Sequence, residues 1–300
     1  MGERKGEPAG MVAEGRKTDG TAVFSDAESL KPTYTPHELP HRDEQVDELA
    51  SVLGSALRGE TPSNVLMYGR CGTGKTATAR YVGRELETAA SASSVELEVV
   101  HVDCRTADTQ NEVLGYLARR FGRGVDSYWP RDRVYDAFAG AVDARERTVV
   151  VVLDEVGKLV DNDGDTTLYC LSRTNGNLED ARVSVVGVSD DVGLTDRLDP
   201  RVRSSLGEEN VFFPSYTDDE LRDVLRSRVK TAFVEGAVTE EAVDTCAELS
   251  VHDGHGDARR ALELLRSAGR VAEALGAETV RADDVRTART EILPRRQNGE

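Results

Sequence analysis

The spacing of hydrophobic and polar residues changes along the chain and divides it into three regions. Residues 1–33 are polar and lack apolar periodicity, which predicts a mobile leader. Residues 34–216 alternate short apolar runs with amphipathic stretches, a pattern typical of a parallel β-sheet with crossover helices. Residues 217–300 have helical spacing throughout, so we expect a small all-helical domain. The segment Thr217–Glu220 matches a capping box at its first helix, and Thr239 can cap the next helix.

The chain is strongly acidic, with 55 Asp and Glu against 38 Lys and Arg and a formal net charge of −17. Lysine occurs at only six positions, so nearly all of the basic residues are arginine. Dense carboxylates with scarce lysine are typical of halophilic proteins, because molar salt screens charges within roughly 3 Å. An ordinary acidic protein is the alternative. Molar salt also removes most of the counterion-release contribution to DNA binding, so the acidity does not exclude a nucleic-acid partner.

The sequence predicts a cytoplasmic protein without a membrane partner. No apolar run approaches the length of a membrane-spanning helix, and the N-terminus lacks the apolar stretch of a signal peptide. The four cysteines are far apart and form no metal-ligand pair, which favours a reduced compartment.

One glycine-rich segment matches the complete phosphate-binding pattern G-x-x-x-x-G-K-[ST]. Its glycines let backbone N–H groups converge on phosphate oxygens without interference from Cβ atoms. An apolar strand at Asn64–Tyr68 precedes the segment and a helical pattern at Ala77–Leu86 follows it, which makes a chance glycine-rich turn a poor alternative. The nucleotide-binding residues expected here are Gly69, Arg70, Cys71, Gly72, Thr73, Gly74, Lys75, Thr76 and Ala77.

A pair of carboxylates at the end of a second strand completes the predicted ATP–Mg²⁺ site. The five apolar residues Val149–Leu153 predict a strand buried on both faces, and Asp154 and Glu155 follow at its carboxyl end, where open α/β sheets bind ligands. Lys75 would reach the β- and γ-phosphates of ATP, and Thr76 would ligate Mg²⁺. Asp154 would hold the magnesium through water. Glu155 would act as the general base for the water that hydrolyses ATP to ADP and phosphate.

Four further segments narrow the assignment: Leu39–Glu44, Asp103–Arg105 with Thr109, Leu198–Ser205 and Gly256–Leu262. With the two nucleotide motifs, they resemble the archaeal origin-recognition ATPases, relatives of the eukaryotic origin recognition complex and its helicase-loading partner. The resemblance extends from about Phe24 to Leu293. It implies an α/β fold, a P-loop AAA+ core with a central parallel sheet flanked by helices at 34–216, followed by a helical lid domain at 217–300.

The resemblance also implies roles for residues outside the two motifs. The segment that frames the adenine corresponds to Leu39, Pro40 and Arg42, although the first two residues could be ordinary core positions. Arg259 on the sensor-2 helix would reach the γ-phosphate; a solvated helix arginine is the alternative. Arg201 and Arg203 are candidates for a finger directed at a neighbouring subunit's nucleotide, with plain surface arginines as the alternative.

Three departures from the family pattern modify these expectations. The family usually ends in a winged-helix domain, and this chain stops soon after 293–296, so we expect weaker DNA binding. The strand-end motif usually continues with another Asp where this chain has Gly157, and the sensor-1 position, usually Asn, is Asp190. Both changes predict slow hydrolysis with intact nucleotide binding. In the alternative, Asp190 points away and Ser189 takes the polar role.

Any remaining DNA contact is expected between the two nucleotide motifs. The resemblance implies that Gln110–Ala144 covers the initiator-specific helical insertion, which can touch DNA. Arg119, Arg120 and Arg123 cluster there beside two aromatic residues, a combination suited to backbone or minor-groove contact. An amphipathic surface with solvated arginines is an equal alternative.

Together these features predict an ATP-controlled replication initiator whose lid closes on ATP. The closed form would engage duplex origin DNA, other initiator subunits or the replicative helicase. Two alternatives stay open. One is a nucleotide-binding regulatory paralogue with little turnover or DNA binding, and the other is a clamp-loader-like or plasmid-maintenance ATPase.

Overall fold

The protein is built on one parallel sheet. A computed structural model describes residues 22–206 and 209–296 of the chain. The strands are β1 (Val65–Gly69), β2 (Leu97–Asp103), β3 (Thr148–Asp154), β4 (Arg182–Ser189) and β5 (Glu209–Phe213). They lie in the order β2-β3-β4-β1-β5, and every neighbouring pair is parallel. The predicted central parallel sheet is confirmed.

Helices flank the sheet and then form a separate bundle. Those of the first part are α1 (Asp43–Leu53), α2 (Lys75–Ala92), α3 (Gln110–Arg120), α4 (Arg131–Val142), α5 (Val156–Asp163), α6 (Thr166–Ser172), α7 (Leu194–Arg197) and α8 (Pro200–Leu206). Those of the bundle are α9 (Asp218–Ala232), α10 (Glu240–Gly254), α11 (Ala258–Ala274) and α12 (Ala282–Arg296). In the part of the chain that the structure describes, none of them is both long and apolar enough to span a membrane.

Strand β3 is covered on both faces, as its continuous apolar run predicts. Val149, Val151 and Leu153 belong to a core shared with α3 and α4, whereas Val150 and Val152 belong to a second core shared with α1 and α2. Side chains alternate between the faces of a strand, so an uninterrupted apolar run satisfies both cores. The strand is therefore held rigidly, and so is the carboxyl end that carries Asp154.

The bundle begins with the predicted capping box. The Thr217 side chain accepts a hydrogen bond from the Glu220 N–H at 3.3 Å, and the Glu220 carboxylate accepts one from the Thr217 N–H at 2.8 Å. Thr239 caps α10 through its side chain, which accepts from the Ala242 N–H. Leu221, Leu225 and the apolar face of α11 form the interior of the bundle. These contacts make it a folded unit beside the sheet.

Part of the expected leader packs against the bundle. Residues 1–21 lie outside the described residues, but Val23 and Leu30 are buried, at 1% and 2% exposure. Phe24 packs on Phe233 with ring centroids 4.6 Å apart, and the N–H groups of Ser25 and Asp26 both donate to the Ala232 carbonyl. So few apolar residues produce no periodicity, which is why the pattern along the chain predicts a leader extending to 33.

Candidate nucleotide site

Most of the predicted nucleotide residues converge on one cavity between the sheet and the helical bundle, whereas Gly69 and Arg70 are not among the residues that line it. It lies at the carboxyl edge of the sheet, where β1 ends in the P-loop, the loop of residues 69–76, and β3 ends at Asp154. Strand β4 lies between β1 and β3, so Asp190 at its end falls between the P-loop and the acidic pair. The predicted residues that line the cavity are Leu39, Pro40, Cys71, Gly72, Thr73, Gly74, Lys75, Thr76, Ala77, Asp154, Glu155, Asp190 and Arg259.

The glycines of the P-loop are required by their neighbours as well as by their backbone angles. Gly72 and Gly74 have φ angles of 73° and 95°, which favour glycine. A Cβ atom on Gly69 would collide with the carbonyl of Phe213 at the end of β5. Inside the loop, the Thr73 hydroxyl donates to the Arg70 carbonyl at 2.9 Å. The loop is therefore wedged between its neighbours in the shape that the motif predicts.

Lys75 is held at the mouth of this loop. Its Nζ donates to the carbonyl oxygens of Gly69 and Arg70, both at 2.7 Å, and the residue is 6% exposed. Burial lowers the pKa of Lys75, while nearby Asp190 acts in the opposite direction. The ammonium group can exchange these carbonyls for phosphate oxygens without leaving the cavity.

Thr76 and Asp154 form an oxygen pair suited to magnesium. The Thr76 hydroxyl donates to Asp154 Oδ1 at 2.9 Å although the residues are 78 apart in sequence. Magnesium prefers oxygen ligands, keeps several waters and takes one or two protein ligands beside substrate phosphates. Among the residues that the structure describes, no larger group of His, Cys, Asp and Glu forms a metal cage. The pair therefore fits a magnesium ion shared with a nucleotide rather than a dedicated protein site.

Glu155 and Asp190 add negative charge at the same end of the cavity. Glu155 adopts a left-handed backbone with a φ of 57°, an unfavourable conformation that is found mainly where the surrounding structure imposes it. Burial raises the pKa of Glu155, and Asp190 and Asp154 raise it further. The Ser189 hydroxyl accepts a hydrogen bond from the Asp191 N–H at 3.0 Å and donates one to the Asp191 carbonyl at 3.3 Å. Asp190 lines the cavity, and Ser189 does not.

The rest of the cavity lining mixes apolar and charged residues that sequence reasoning missed. They are Leu30, Lys31, Pro32, Tyr34, Glu38, Tyr216, Val224, Arg228 and Leu262. The guanidinium of Arg228 lies 5.2 Å from the centroid of the Tyr34 ring, and burial lowers the pKa of Arg228. Leu30 and Pro32 near the end of the leader, with Tyr34 directly after it, were a weak signal in the sequence. Nothing in the sequence indicates a role for Arg228, because its position in the cavity depends on how the bundle packs against the sheet.

Arg42 does not line the cavity. It lies beneath the P-loop, 1% exposed, and its guanidinium donates to backbone carbonyls. The predicted adenine-framing segment therefore divides: Leu39 and Pro40 line the cavity, and Arg42 supports the loop from behind.

The bundle reaches the P-loop through the start of α11. The Ala258 N–H donates to the Gly72 carbonyl at 3.1 Å, and the Asp257 side chain caps the helix by accepting from the Arg260 N–H. Arg259 follows and lines the cavity, near enough for its charge to act on the pKa of Glu155. The predicted sensor arginine therefore lies at the phosphate end.

Arg201 and Arg203 lie outside this chain's own cavity. Both are exposed on α8, and the Arg201 N–H donates to Asp199 Oδ1 at 2.8 Å. Any role at a nucleotide would need a second subunit.

The predicted DNA-contacting arginines occupy one exposed face. Arg119, Arg120 and Arg123 are exposed at the end of α3, whereas Leu114 and Leu117 on its other face are fully buried. Arg120 forms an ion pair with Glu98 at 2.7 Å, and Arg119 donates to the Val125 carbonyl at 3.5 Å. This geometry suits a solvated amphipathic helix and equally a basic contact surface.

Comparisons with known proteins identify the two folded parts. Residues 38–186 match the model of the AAA ATPase domain, and residues 222–290 match the model of the Cdc6 AAA+ ATPase-type lid domain. The structure of the Aeropyrum pernix ORC1 protein in complex with DNA superimposes with a TM-score of 0.85 at 41% identity, covering 90% of this chain and 70% of that one. The expected core and lid are confirmed.

Curated relatives agree. The ORC1-type DNA replication protein 4 of Haloarcula marismortui is 42% identical over an alignment of 328 positions, gaps included, that covers 91% of this chain and 62% of the relative. An ORC1-type DNA replication protein of Methanoculleus marisnigri is 42% identical over 97% of this chain and 70% of its own length. The chain thus spans less than two thirds of the length of the Haloarcula protein. A relative from this genus supports the halophilic interpretation of the composition. By these matches, the chain belongs to the family of archaeal ORC1-type DNA replication proteins.

Proposed function

We infer that this chain is an ATP-controlled replication initiator of low turnover. The observation that carries the proposal is the convergence of Lys75, the Thr76–Asp154 pair and Glu155 with Arg259 from the lid in one cavity. A P-loop, an acidic pair and a lid arginine are the parts that bind ATP and make the lid position depend on its γ-phosphate. The names of the curated relatives support a role in DNA replication.

The residues divide the chemistry as follows. Lys75 would contact the β- and γ-phosphates, and Thr76 and Asp154 would hold a magnesium ion, which would supply neutralisation of the phosphate charge. Glu155 accepts a proton from the water that attacks the γ-phosphorus. The bond from that phosphorus to the bridging oxygen breaks, leaving ADP and inorganic phosphate. Glu155 must be ionised to act as the base.

Binding of ATP would draw the lid and core together through Arg259. The hydrogen bond between Ala258 and Gly72 already connects α11 to the loop, so a γ-phosphate contact would add to an existing hinge contact. The carboxylate of Asp190 beside the γ-phosphate would oppose the charge of the transition state, which makes turnover slow.

Partners of the closed form follow from the exposed arginines. Arg201 and Arg203 lie outside their own cavity, so as finger residues they would act on the nucleotide of a neighbouring initiator subunit. The basic end of α3 would contact duplex DNA, and a DNA partner is supported by the Aeropyrum pernix ORC1 protein, whose structure is a complex with DNA. By its resemblance to the origin-recognition family, the closed form would also contact the replicative helicase.

ATP binding and turnover of the chain in molar potassium chloride, with and without duplex DNA, test the proposal. We expect tight ATP binding, slow release of phosphate, and no binding by Lys75→Ala, which lacks the phosphate-pairing charge. Tight binding without turnover or DNA affinity would instead support a regulatory paralogue. Retained affinity in Lys75→Ala would remove the proposed site.

A further inference from the structure

Arg42 is a buried cation whose hydrogen bonds all go to backbone oxygens. Its Nε donates to the Thr73 carbonyl at 2.7 Å, and its two terminal nitrogens donate to the carbonyls of His41 at 2.7 Å and Pro214 at 2.8 Å. The guanidinium stacks on the Tyr216 ring, 3.7 Å from its centroid. One side chain thus joins the P-loop, the turn that precedes α1 and the linker that leads from β5 to the lid.

This charge has no ion-pair partner in the described ranges 22–206 and 209–296. Burial lowers the pKa of Arg42, and only Tyr216 and Glu220 act in the opposite direction. A buried charge without a counter-ion is costly, and here three hydrogen bonds and the stacked Tyr216 ring offset that cost. An apolar side chain would leave the three carbonyls without these donors, so the arginine fixes the backbone that it bonds, the loop above it included.

The bond to Thr73 is placed to act on the phosphate cradle. The Thr73 carbonyl and the Gly74 N–H belong to the same peptide unit, and that N–H lies in the stretch that wraps around phosphates. Donation to a peptide carbonyl polarises the unit and strengthens its N–H as a donor. Gly74 is also held close to Tyr216, since a Cβ atom there would lie 3.0 Å from the tyrosine hydroxyl.

We propose that Arg42 is a positioning residue of the phosphate site, which orients and polarises the Thr73–Gly74 peptide so that the P-loop binds the phosphates of ATP and ADP. The proposal rests on the nucleotide site proposed above. It gives Arg42 a role in phosphate affinity although the side chain never touches the nucleotide. A purely structural arginine would affect the stability of the fold and the binding of adenosine and ADP alike.

The test compares ADP with adenosine, because only ADP uses the loop. We expect Arg42→Gln to weaken ADP binding about 10- to 100-fold, which corresponds to the loss of the hydrogen bond from the Gly74 N–H to a charged phosphate. Adenosine affinity should stay unchanged. Both are measured by competition against a fluorescent ATP analogue in molar potassium chloride. Arg42→Lys keeps the charge but cannot span the carbonyls of Thr73 and Pro214, so an intermediate loss for ADP alone is expected.

Arg147 is the matched control. It donates to the carbonyls of Val142 and Ala141 at 3.0 and 2.8 Å and lies 4.5 Å from the Phe121 ring, but at the amino edge of the sheet, away from the cavity. Arg147→Gln should lower thermal stability and leave the ratio of ADP to adenosine affinity as in the parent.

The outcomes separate this proposal from the one on which it rests. If the parent binds no ADP, the nucleotide site itself fails. If the parent binds ADP and folded Arg42→Gln binds it equally well, or loses adenosine to the same extent, Arg42 has no specific role at the phosphates. Should Arg42→Gln not fold, the same two results in Arg42→Lys decide against the proposal.

Discussion

The backbone N–H of Ala258 donates to the carbonyl oxygen of Gly72 at 3.1 Å, so the first residue of lid helix α11 is hydrogen-bonded directly to the P-loop. The same glycine leaves room for Asp257, the residue that caps α11. A Cβ atom on Gly72 would collide with the Asp257 carboxylate and lie 3.0 Å from its Cα. The loop that would hold the phosphates and the helix that carries Arg259 are therefore positioned by one contact.

Gly72→Ala should separate the lid from the loop and weaken ATP binding. The φ of 73° alone costs an alanine about 1 kcal/mol, and the collision with Asp257 adds to that cost. Gly59→Ala is the matched control, because Gly59 has a φ of 74° and a Cβ added there would enter open space. We expect both variants to lose stability in thermal unfolding, and only Gly72→Ala to lose ATP affinity in titrations. Equal ATP affinity in the two variants would show that this contact does not position the site.

Much of the core could be predicted because its signals are local. The apolar run Val149–Leu153 needs only its own composition to indicate a two-sided strand, and the P-loop is contiguous in sequence. Asp154 and Thr76 could be paired in advance, because parallel strands present their carboxyl ends at one edge of the sheet. Asp190 could be placed on the same reasoning, from the strand that precedes it.

The part of the cavity lining that lies outside the nucleotide motifs could not be predicted, because it depends on how the leader and the bundle pack against the sheet. Val224 and Arg228 are four residues apart on α9 and share a face, but nothing in that spacing says what the face covers. Leu30 belongs to a segment with too few apolar residues to show a period. The sequence neighbours of Arg42 group it with the adenine, whereas its burial is a property of the folded loop.

Glu155→Gln should retain ATP binding and lose turnover, because the magnesium pair is spared and only the base is removed. In the nucleotide-free protein, burial and the nearby carboxylates raise the pKa of Glu155 above its ordinary 4.5. The rate of hydrolysis at subsaturating ATP, which reports the free enzyme, should therefore begin to fall, on acidification, above that pH. Phosphate release under single-turnover conditions, followed across pH, measures both effects. A variant that turns over like the parent would exclude Glu155 as the base.

Glu155→Gln should also change the stability of the fold, by an amount that depends on pH. A raised pKa means that the folded state holds the proton more tightly than the unfolded chain, so this contribution is complete below 4.5 and is lost as pH rises through the folded value. Gln resembles the protonated form. Glu155→Gln should therefore unfold at a higher temperature than the parent at neutral pH, and the difference should shrink towards pH 4.5. A difference that grows on acidification would contradict the raised pKa.

Replacing Arg119, Arg120 and Arg123 together by Ala should weaken DNA binding and leave ATP affinity unchanged, because these side chains are exposed and remote from the cavity. The control replaces Arg270, Arg281 and Arg286, which are exposed on the lid and, like the first set, include one ion-paired arginine. Fluorescence anisotropy with labelled duplex over a range of salt compares the two. Equal losses in both sets would indicate a general charge effect and favour the solvated-helix interpretation.

Asp190→Asn should accelerate hydrolysis. Asp190 lines the cavity beside Lys75 and Glu155, and its carboxylate can only accept hydrogen bonds, whereas an amide can donate one to a phosphate oxygen. A carboxylate about 4 Å from a phosphate charge costs about 4 kcal/mol at an effective dielectric constant near 20, and if half of this acts on the transition state, turnover falls roughly thirtyfold.

Asp191→Asn is the control, since Asp191 carries the same charge one residue on but is held by Gly193 and Arg197 outside the cavity. We expect faster phosphate release at saturating ATP in Asp190→Asn, equal or tighter ATP binding, and no acceleration in Asp191→Asn. Because salt screens an exposed charge, the gain should be largest at the lowest salt at which the protein stays folded. Unchanged or slower turnover in Asp190→Asn would show that this carboxylate does not restrain the enzyme.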